Sequence, residues 1–192
     1  IKPSWEELKE PTDKIVLKID PAHIFGTGTH ETTQLCIELI EKFVQKKDKV
    51  LDIGCGSGIL SIASLLLGAE EADAVDIDPN AIAVAYENAD RNDIDRRRYH
   101  VTAGNILEDE NLHKAYSGKQ YDVVEANIVA DIIMALSKQV PQYIKKGGIF
   151  ISSGIIKQRL EEVYQALKEN GFVVLDTKYK KDWVAIVSRY DG

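Results

Sequence analysis

Short apolar runs alternate with longer amphipathic ones along nearly the whole chain, and glycine or proline marks most of the changes between them. Val50, Leu51 and Ile53 form a run of strand length that leads into Gly54, Gly56 and Gly58. Ile59, Leu60, Ile62, Ala63, Leu65 and Leu66 then recur at helical spacing, so the stretch predicts a buried strand, a tight turn and a helix. The same alternation predicts strands over 70–76, 99–103, 121–128 and 149–153. Between and before them it predicts helices over 32–43, 79–92, 129–139 and 158–170. The helix after the fourth strand is expected to run on to about residue 144, where Lys145-Lys146-Gly147-Gly148 supply C-terminal charges and a stop. Two last apolar stretches, 172–179 and 183–189, are joined by a turn so short that they must be antiparallel neighbours. Ile15-Val16-Leu17-Lys18-Ile19 is a further strand candidate, stopped by Asp20-Pro21. The whole predicts an α/β domain with a mostly parallel seven-stranded sheet, helices on both faces and an antiparallel terminal pair.

The glycines decide what the turn can hold. Without Cβ atoms they allow positive φ and let a ligand approach the main chain, while the amides opening the next helix favour an anionic group. A dinucleotide fingerprint needs Gly-x-Gly-x-x-Gly; counted from Gly54 its last position is Ile59, and the third glycine arrives one residue early at Gly58. The pattern Asp52-x-Gly54-x-Gly56-x-Gly58 resembles instead the first motif of the Rossmann-like S-adenosylmethionine (SAM) methyltransferases. There the turn faces the methionine end of the cofactor, with its carboxylate and ammonium. A purely structural turn is the alternative reading.

Other candidates follow from spacing. Asp76 closes the second strand 22 residues after Gly54, about where an acidic side chain accepts hydrogen bonds from ribose hydroxyls. Asp78 is assigned to capping the next helix, with Pro79 at its first position. Asn105, after Gly104, is either an adenine neighbour or a plain turn residue. In open α/β sheets ligands sit beyond the carboxyl ends of the strands where strand order reverses, and Asn127 at the end of the fourth strand stands there. That makes Asn127 the candidate catalytic residue, whose side-chain oxygen can accept an amine's protons and orient its lone pair. Capping the following helix is its other possible role. The loop Phe25-Gly26-Thr27-Gly28-Thr29-His30-Glu31-Thr32-Thr33 reads either as flexible, with Thr29 as a helix N-cap, or as a lid holding the cofactor's amino-acid end. His23 and His30 flank it as proton acceptors or as solvated residues.

Composition narrows the partners. At 192 residues without a Pro/Gly/Ser-rich divide the chain suits one domain. The 24 basic against 31 acidic residues give a net charge of −7, which disfavours a surface built to grip phosphate backbones. Arg96-Arg97-Arg98 has only Tyr99 as an aromatic beside it and reads as a solvated turn. Cys36 and Cys55 form neither a disulfide framework nor a CxxC pair, which points to a reducing, cytoplasmic compartment. Neither a membrane span, a secretion signal nor a metal-ligand spacing is visible. The chain begins at Ile1 and its only methionine is Met134, so a start further upstream is expected.

Together these stretches resemble the C-terminal catalytic domain of the PrmA-type methyltransferases, which trimethylate amines of large-subunit ribosomal protein eleven. The resemblance is carried by the threonine loop 25–33, Asp52 to Leu60, Asp76-Ile77-Asp78-Pro79, Ala126-Asn127-Ile128-Val129-Ala130-Asp131 and Ser153-Gly154-Ile155. It implies a Rossmann-like class I fold, SAM as cofactor, and lysine ε-amines and the N-terminal α-amine of that ribosomal protein as acceptors. It implies cofactor contacts at Thr33, Gly54, Asp76 and Asn127; Phe25, Gly26, Thr27, Gly56 and Asn105 complete the expected cofactor set. Where this chain has Glu31 the family usually has proline, a loop-surface departure expected to be tolerated. The family also carries a small N-terminal substrate-recognition domain. Residues 1–12 are therefore expected to be a linker remnant and 13–192 the methyltransferase domain, acting as a monomer without direct nucleic-acid contact. A methyltransferase for another amine and a non-catalytic SAM-sensing module are the alternatives; tight binding of a reduced nicotinamide dinucleotide would indicate a dehydrogenase.

Overall fold

The computed structural model describes residues 1–3, 12–20 and 28–192. Its first strands, β1 (Lys2–Pro3) and β2 (Lys18–Ile19), form a small parallel pair, and α1 (Glu31–Phe43) follows. Then come β3 (Lys49–Ile53), α2 (Ile59–Leu66), β4 (Glu71–Asp76), α3 (Asn80–Arg91) and β5 (Tyr99–Ala103). After α4 (Glu110–Ser117) the chain continues through β6 (Tyr121–Asn127), α5 (Ala130–Gln139), β7 (Ile144–Ile156) and α6 (Leu160–Glu169), and closes with β8 (Phe172–Lys180) and β9 (Trp183–Tyr190).

The main sheet has seven strands in the order β5-β4-β3-β6-β7-β9-β8. Strands β3 to β7 pair in parallel and β8 with β9 antiparallel, as the sequence predicts; β9 also runs antiparallel to β7. Because successive strand residues point to opposite faces, the strands feed two cores. Val50, Ala72, Ala74, Val123 and Ile151 pack with α1, α2 and α3, whereas Leu51, Ile53, Val75, Val124 and Phe150 pack with α4, α5 and α6. Strand order reverses at β3, which has β4 on one side and β6 on the other. Any ligand crevice of this topology lies beyond the carboxyl ends of those three strands.

Several local expectations change. The first strand candidate contracts to Lys18–Ile19, and Ile15 is exposed. Helix α1 is capped by His30, whose Nδ1 accepts from the Thr32 amide at 3.3 Å, and not by Thr29. Pro79 stands at the N-cap of α3, while Asp78 Oδ1 accepts from the Asn80 amide at 2.9 Å. Helix α5 stops at Gln139, because Pro141 admits only one 3₁₀ turn at Val140–Gln142. Residues 145–148 therefore lie inside β7, where a register shift between Tyr121 and Val123 absorbs them and Lys145 pairs with Asp122 at 2.6 Å. Helix α4 is absent from the sequence reading: its apolar face is only Leu112 and Tyr116, and its start is fixed by Asp109 capping the amides of Asn111 and Leu112.

Candidate active site

The turn between β3 and α2 is tied to the end of β4. Gly54 and Cys55 both donate to the Val75 carbonyl, at 2.8 and 3.2 Å, and Gly58, at φ 78°, opens α2. Two carboxylates take the amides a phosphate would need. Asp76 Oδ2 accepts from Gly56 at 2.7 Å, and the buried Asp52 Oδ2 accepts from Ser61 in the first turn of α2 at 3.1 Å. The turn is thus held by carboxyl groups of the protein itself, which occupy its amides and leave an arrangement poorly suited to a pyrophosphate.

A cleft of about 400 Å³ opens over this turn. Its lining includes Thr33, Gly54, Gly56, Asp76 and Asn127, so α1, β3, β4 and β6 bring five of the expected residues to one place. Asn105 lines an adjoining chamber of about 220 Å³ that shares Gly54, Asp76, Ile77 and Ile128 with the first. Its Oδ1 accepts from Leu107 at 3.1 Å, so it builds the turn after β5 and also borders the cavity. The remaining expected contacts, Phe25, Gly26 and Thr27, and also His23, lie outside the described residues. No lysine or arginine is among the described residues lining either chamber.

Asn127 has an unusual environment. Its Nδ2 donates to Thr33 Oγ1 at 3.4 Å, joining the end of β6 to the start of α1. Its Oδ1 is buried with no hydrogen-bond partner among the described residues. The helix-capping role is not taken up: α5 begins at Ala130 after Val129, with no side-chain cap. A buried, unpaired amide oxygen costs about 1–3 kcal/mol, which is recovered when a ligand donates to it.

The sequence reading missed the wall beside Asn127. Trp183 at the start of β9 lines the cleft and packs edge-on against His30, with ring centroids 5.2 Å apart. No local pattern marks Trp183, because only the return of β9 alongside β7 carries it to the cleft; its register partner there is Ile156. Gly154, in a β7 bulge, also lines the cleft; a Cβ there would lie 2.3 Å from the Ile128 carbonyl oxygen. Glu31 opens α1 and bonds Lys181, so the departure from proline falls on an ion pair linking α1 to the β8–β9 turn. The arginine run is used internally: Arg96 pairs with Asp90 at 2.6 Å, Arg97 with Asp95 at 2.5 Å, and Arg98 donates to the Ala69 and Glu70 carbonyls. Burial pushes the Cys55 thiol well above its ordinary range, with Asp52 and Asp76 adding to it, so this cleft cysteine stays protonated.

A doubly wound parallel sheet with an antiparallel terminal pair, and a glycine cleft at its switch point, is the fold of the Rossmann-like class I SAM-dependent methyltransferases. More narrowly, residues 1–191 match the family model described as ribosomal protein L11 methyltransferase (PrmA), and the chain belongs to that family. A ribosomal protein L11 methyltransferase from Lachnospira eligens is 44% identical over 191 residues, covering 98% of this chain and 60% of that protein. One from Ruminiclostridium cellulolyticum is 45% identical over 188 residues, covering 97% of this chain and 57% of that protein. The chain thus spans about three fifths of the length of these curated relatives. The crystal structure of ribosomal protein L11 methylase from Lactobacillus delbrueckii subsp. bulgaricus superposes with a TM-score of 0.87 at 32% identity, covering 99% of this chain and 93% of that one. A putative methyltransferase complexed with SAH shares the fold, with a TM-score of 0.70 at 12% identity over 84% of this chain and 50% of that one.

Proposed function

We propose that this chain is the SAM-binding, catalytic part of a protein N-methyltransferase that methylates lysine ε-amines and the N-terminal α-amine of ribosomal protein L11. The observation that carries the reading is Asn127 Oδ1, buried and unpartnered on the wall of a cleft whose other side is the glycine turn. Family membership supports this choice of substrate. The absence of lysine and arginine among the described lining residues suits a cationic sulfonium better than a phosphate.

The residues fit the cofactor on their own chemistry. Asp76 sits at the end of β4 with each carboxylate oxygen already accepting one amide, from Gly56 and Asp78, which fixes its plane and leaves further lone pairs for ribose hydroxyls. Gly54 and Gly56 would hold the methionine end, Thr33 would support it from α1, and Asn105 would border adenine. Phe25, Gly26 and Thr27 would close the loop side. When bound, SAM supplies an electrophilic methyl group on a positively charged sulfur.

The nucleophile must be a neutral amine. Deprotonating a lysine of ordinary pKa, about 10.4, at neutral pH costs about 4.6 kcal/mol. Asn127 Oδ1 accepts a remaining N–H of that amine and turns its lone pair toward the methyl group, while Thr33 holds the Asn127 amide in place. Trp183, His30 and Val129 line the approach. The acceleration comes from orientation, and no dedicated general base is assigned.

The same reading makes residues 13–192 the methyltransferase domain and 1–12 the end of a linker, with the enzyme monomeric and cytoplasmic and making no direct nucleic-acid contact. Internal use of Arg96, Arg97 and Arg98 supports the last point. Among the described residues no helix is long and apolar enough to cross a membrane. The test is transfer of a labelled methyl group from SAM to stripped ribosomal proteins, with products located by intact mass. Label on L11 is expected when the chain is extended to the length of its relatives. Bound cofactor without label from either length would favour another amine substrate or a sensing module.

A further inference from the structure

Beneath the glycine turn lie two carboxyls that the proposed reaction does not use. Asp52 on β3 and Glu125 on β6 are register partners in adjacent parallel strands, and both are fully buried. Both project to the face covered by α1 and α2, where each meets a serine of α2. Asp52 Oδ2 accepts from the Ser61 amide at 3.1 Å, and Glu125 Oε1 accepts from the Ser64 hydroxyl at 2.5 Å. The second oxygen of each, Asp52 Oδ1 and Glu125 Oε2, is buried with no partner among the described residues. Two orphan oxygens from neighbouring strands would make a costly defect if both groups were ionised, and a proton removes much of that cost.

Among the described residues the surroundings show no positive charge instead. The titratable groups facing the pair are Cys36 on α1, Cys55 in the glycine turn, Asp76 at the end of β4 and Tyr99 on β5. None is a cation, and every one that ionises does so to a negative charge. Burial holds both carboxyls above the ordinary range; the charge of Asp76 adds to the effect at Asp52, which is pushed up to about 7, and that of Asp52 adds to it at Glu125. Cys55 and Asp76 also line the cleft, so the pair lies within electrostatic reach of whatever fills it.

We propose that Asp52 and Glu125 retain a proton between them at neutral pH, and that a cationic ligand in the cleft drives further proton release from the pair to solvent. The inference rests on the SAM reading of the cleft and deepens it. The methyl donor carries a sulfonium charge and its demethylated product a neutral thioether, so the pair favours donor over product through charge alone. A buried anion reports that single charge strongly because little solvent lies between them to screen it. The event is a proton transfer from carboxyl to buffer, with no other bond made or broken. Asp52 and Glu125 act here as specificity-determining groups that touch neither substrate nor cofactor.

Two measurements on this chain test the proposal. The first needs no ligand: infrared spectra near neutral pH should show the carbonyl stretch of a buried protonated carboxyl, clearly weakened in Glu125→Gln. Absence of that band in the unsubstituted protein overturns the shared proton. The second is titration calorimetry with SAM and with S-adenosylhomocysteine in buffers of different ionisation enthalpy. SAM is expected to release a measurable fraction of a proton more than S-adenosylhomocysteine, and Asp52→Asn, which retains an acceptor oxygen for Ser61, should abolish the difference. Equal proton release by the two ligands, with both bound, overturns the linkage. Failure of SAM to bind while the infrared band is present overturns the cofactor reading and leaves the shared proton standing.

Discussion

At Asn127 one amide group has two faces with different tasks: Nδ2 reaches Thr33 Oγ1, and Oδ1 is kept dry and unpaired in the cleft wall. Asn127→Ala removes both and should lower the rate of methyl transfer to L11 by about 100-fold in the extended enzyme, the scale of a lost orienting contact. Initial rates with labelled SAM would measure it, and an unchanged rate with unchanged cofactor affinity would refute the orienting role. The carboxyls below carry a prediction of another kind. Asp52 titrates near 3.8 in the unfolded chain and near 7 in the fold, so the folded protein binds more protons between those values. Stability should therefore fall as pH rises from about 4 to about 7, and Asp52→Asn should flatten that slope in thermal unfolding followed by pH. Paired surface acids act in the opposite sense and lower down: Arg97 holds Asp95 at about 2, so its contribution is lost only as pH falls below about 4. Much of the cleft is legible at this scale because glycine spacing and a strand-ending acid are local patterns. The orphan oxygens are not, since pairing of Asp52 with Glu125 depends on the register of two strands far apart in sequence.

At the scale of elements, α2 starts where it does because Gly58 can take φ 78° against a crowded neighbour. A Cβ at Gly58 would lie 2.6 Å from the Tyr99 hydroxyl, which is itself bonded to Ser61 Oγ, and 3.1 Å from Ala85 Cβ. Gly58→Ala should cost about 1–3 kcal/mol from backbone strain, with overpacking added. A lower thermal midpoint, with the cofactor site loosened in parallel, is the expected result. Gly154→Ala acts differently, because the obstructing atoms are the backbone of Ile128, next to Asn127. Its Cβ should displace that loop and reduce methyl transfer more than its loss of stability explains, which a rate measured well below the unfolding transition would separate. The elements most visible in sequence are those with a continuous apolar face, such as α2 or β6. Helix α4 escapes because its buried face holds only two apolar residues and its start is set by an aspartate cap. The early part of β7 escapes because Lys145 and Lys146 mimic the end of a helix, whereas the strand pairing of Ile144 with Tyr121 decides their conformation.

At the scale of the whole molecule, the described walls of the cleft come from α1, α2, β3, β4, β6, β7 and β9, that is, from one sheet and two helices, of which α1 packs across β7 and β9. Polar contacts fasten that helix to the terminal strands: Lys42 with Asp176 at 2.8 Å, Lys178 with Glu38 at 2.7 Å, and Lys181 with Glu31. Each is exposed and individually weak, but together they fix the helix that presents Thr33 to Asn127. A cleft assembled this way owes its shape to contacts inside the chain, so cofactor binding should be a property of the chain alone. The curated relatives are longer, and capture of a folded protein substrate needs a surface the cleft does not provide. SAM affinity by calorimetry should then agree within about twofold, or 0.4 kcal/mol, between this chain and one extended to the relatives' length. Methyl transfer to L11 should differ by at least about tenfold in favour of the longer chain. Equal transfer by both would place substrate capture on this domain, and the exposed lip of Ile77 and Val129 at the cleft mouth would be the surface to substitute next. Weak cofactor binding by this chain, restored by the extension, would mean instead that the loop side of the cleft is completed from outside it.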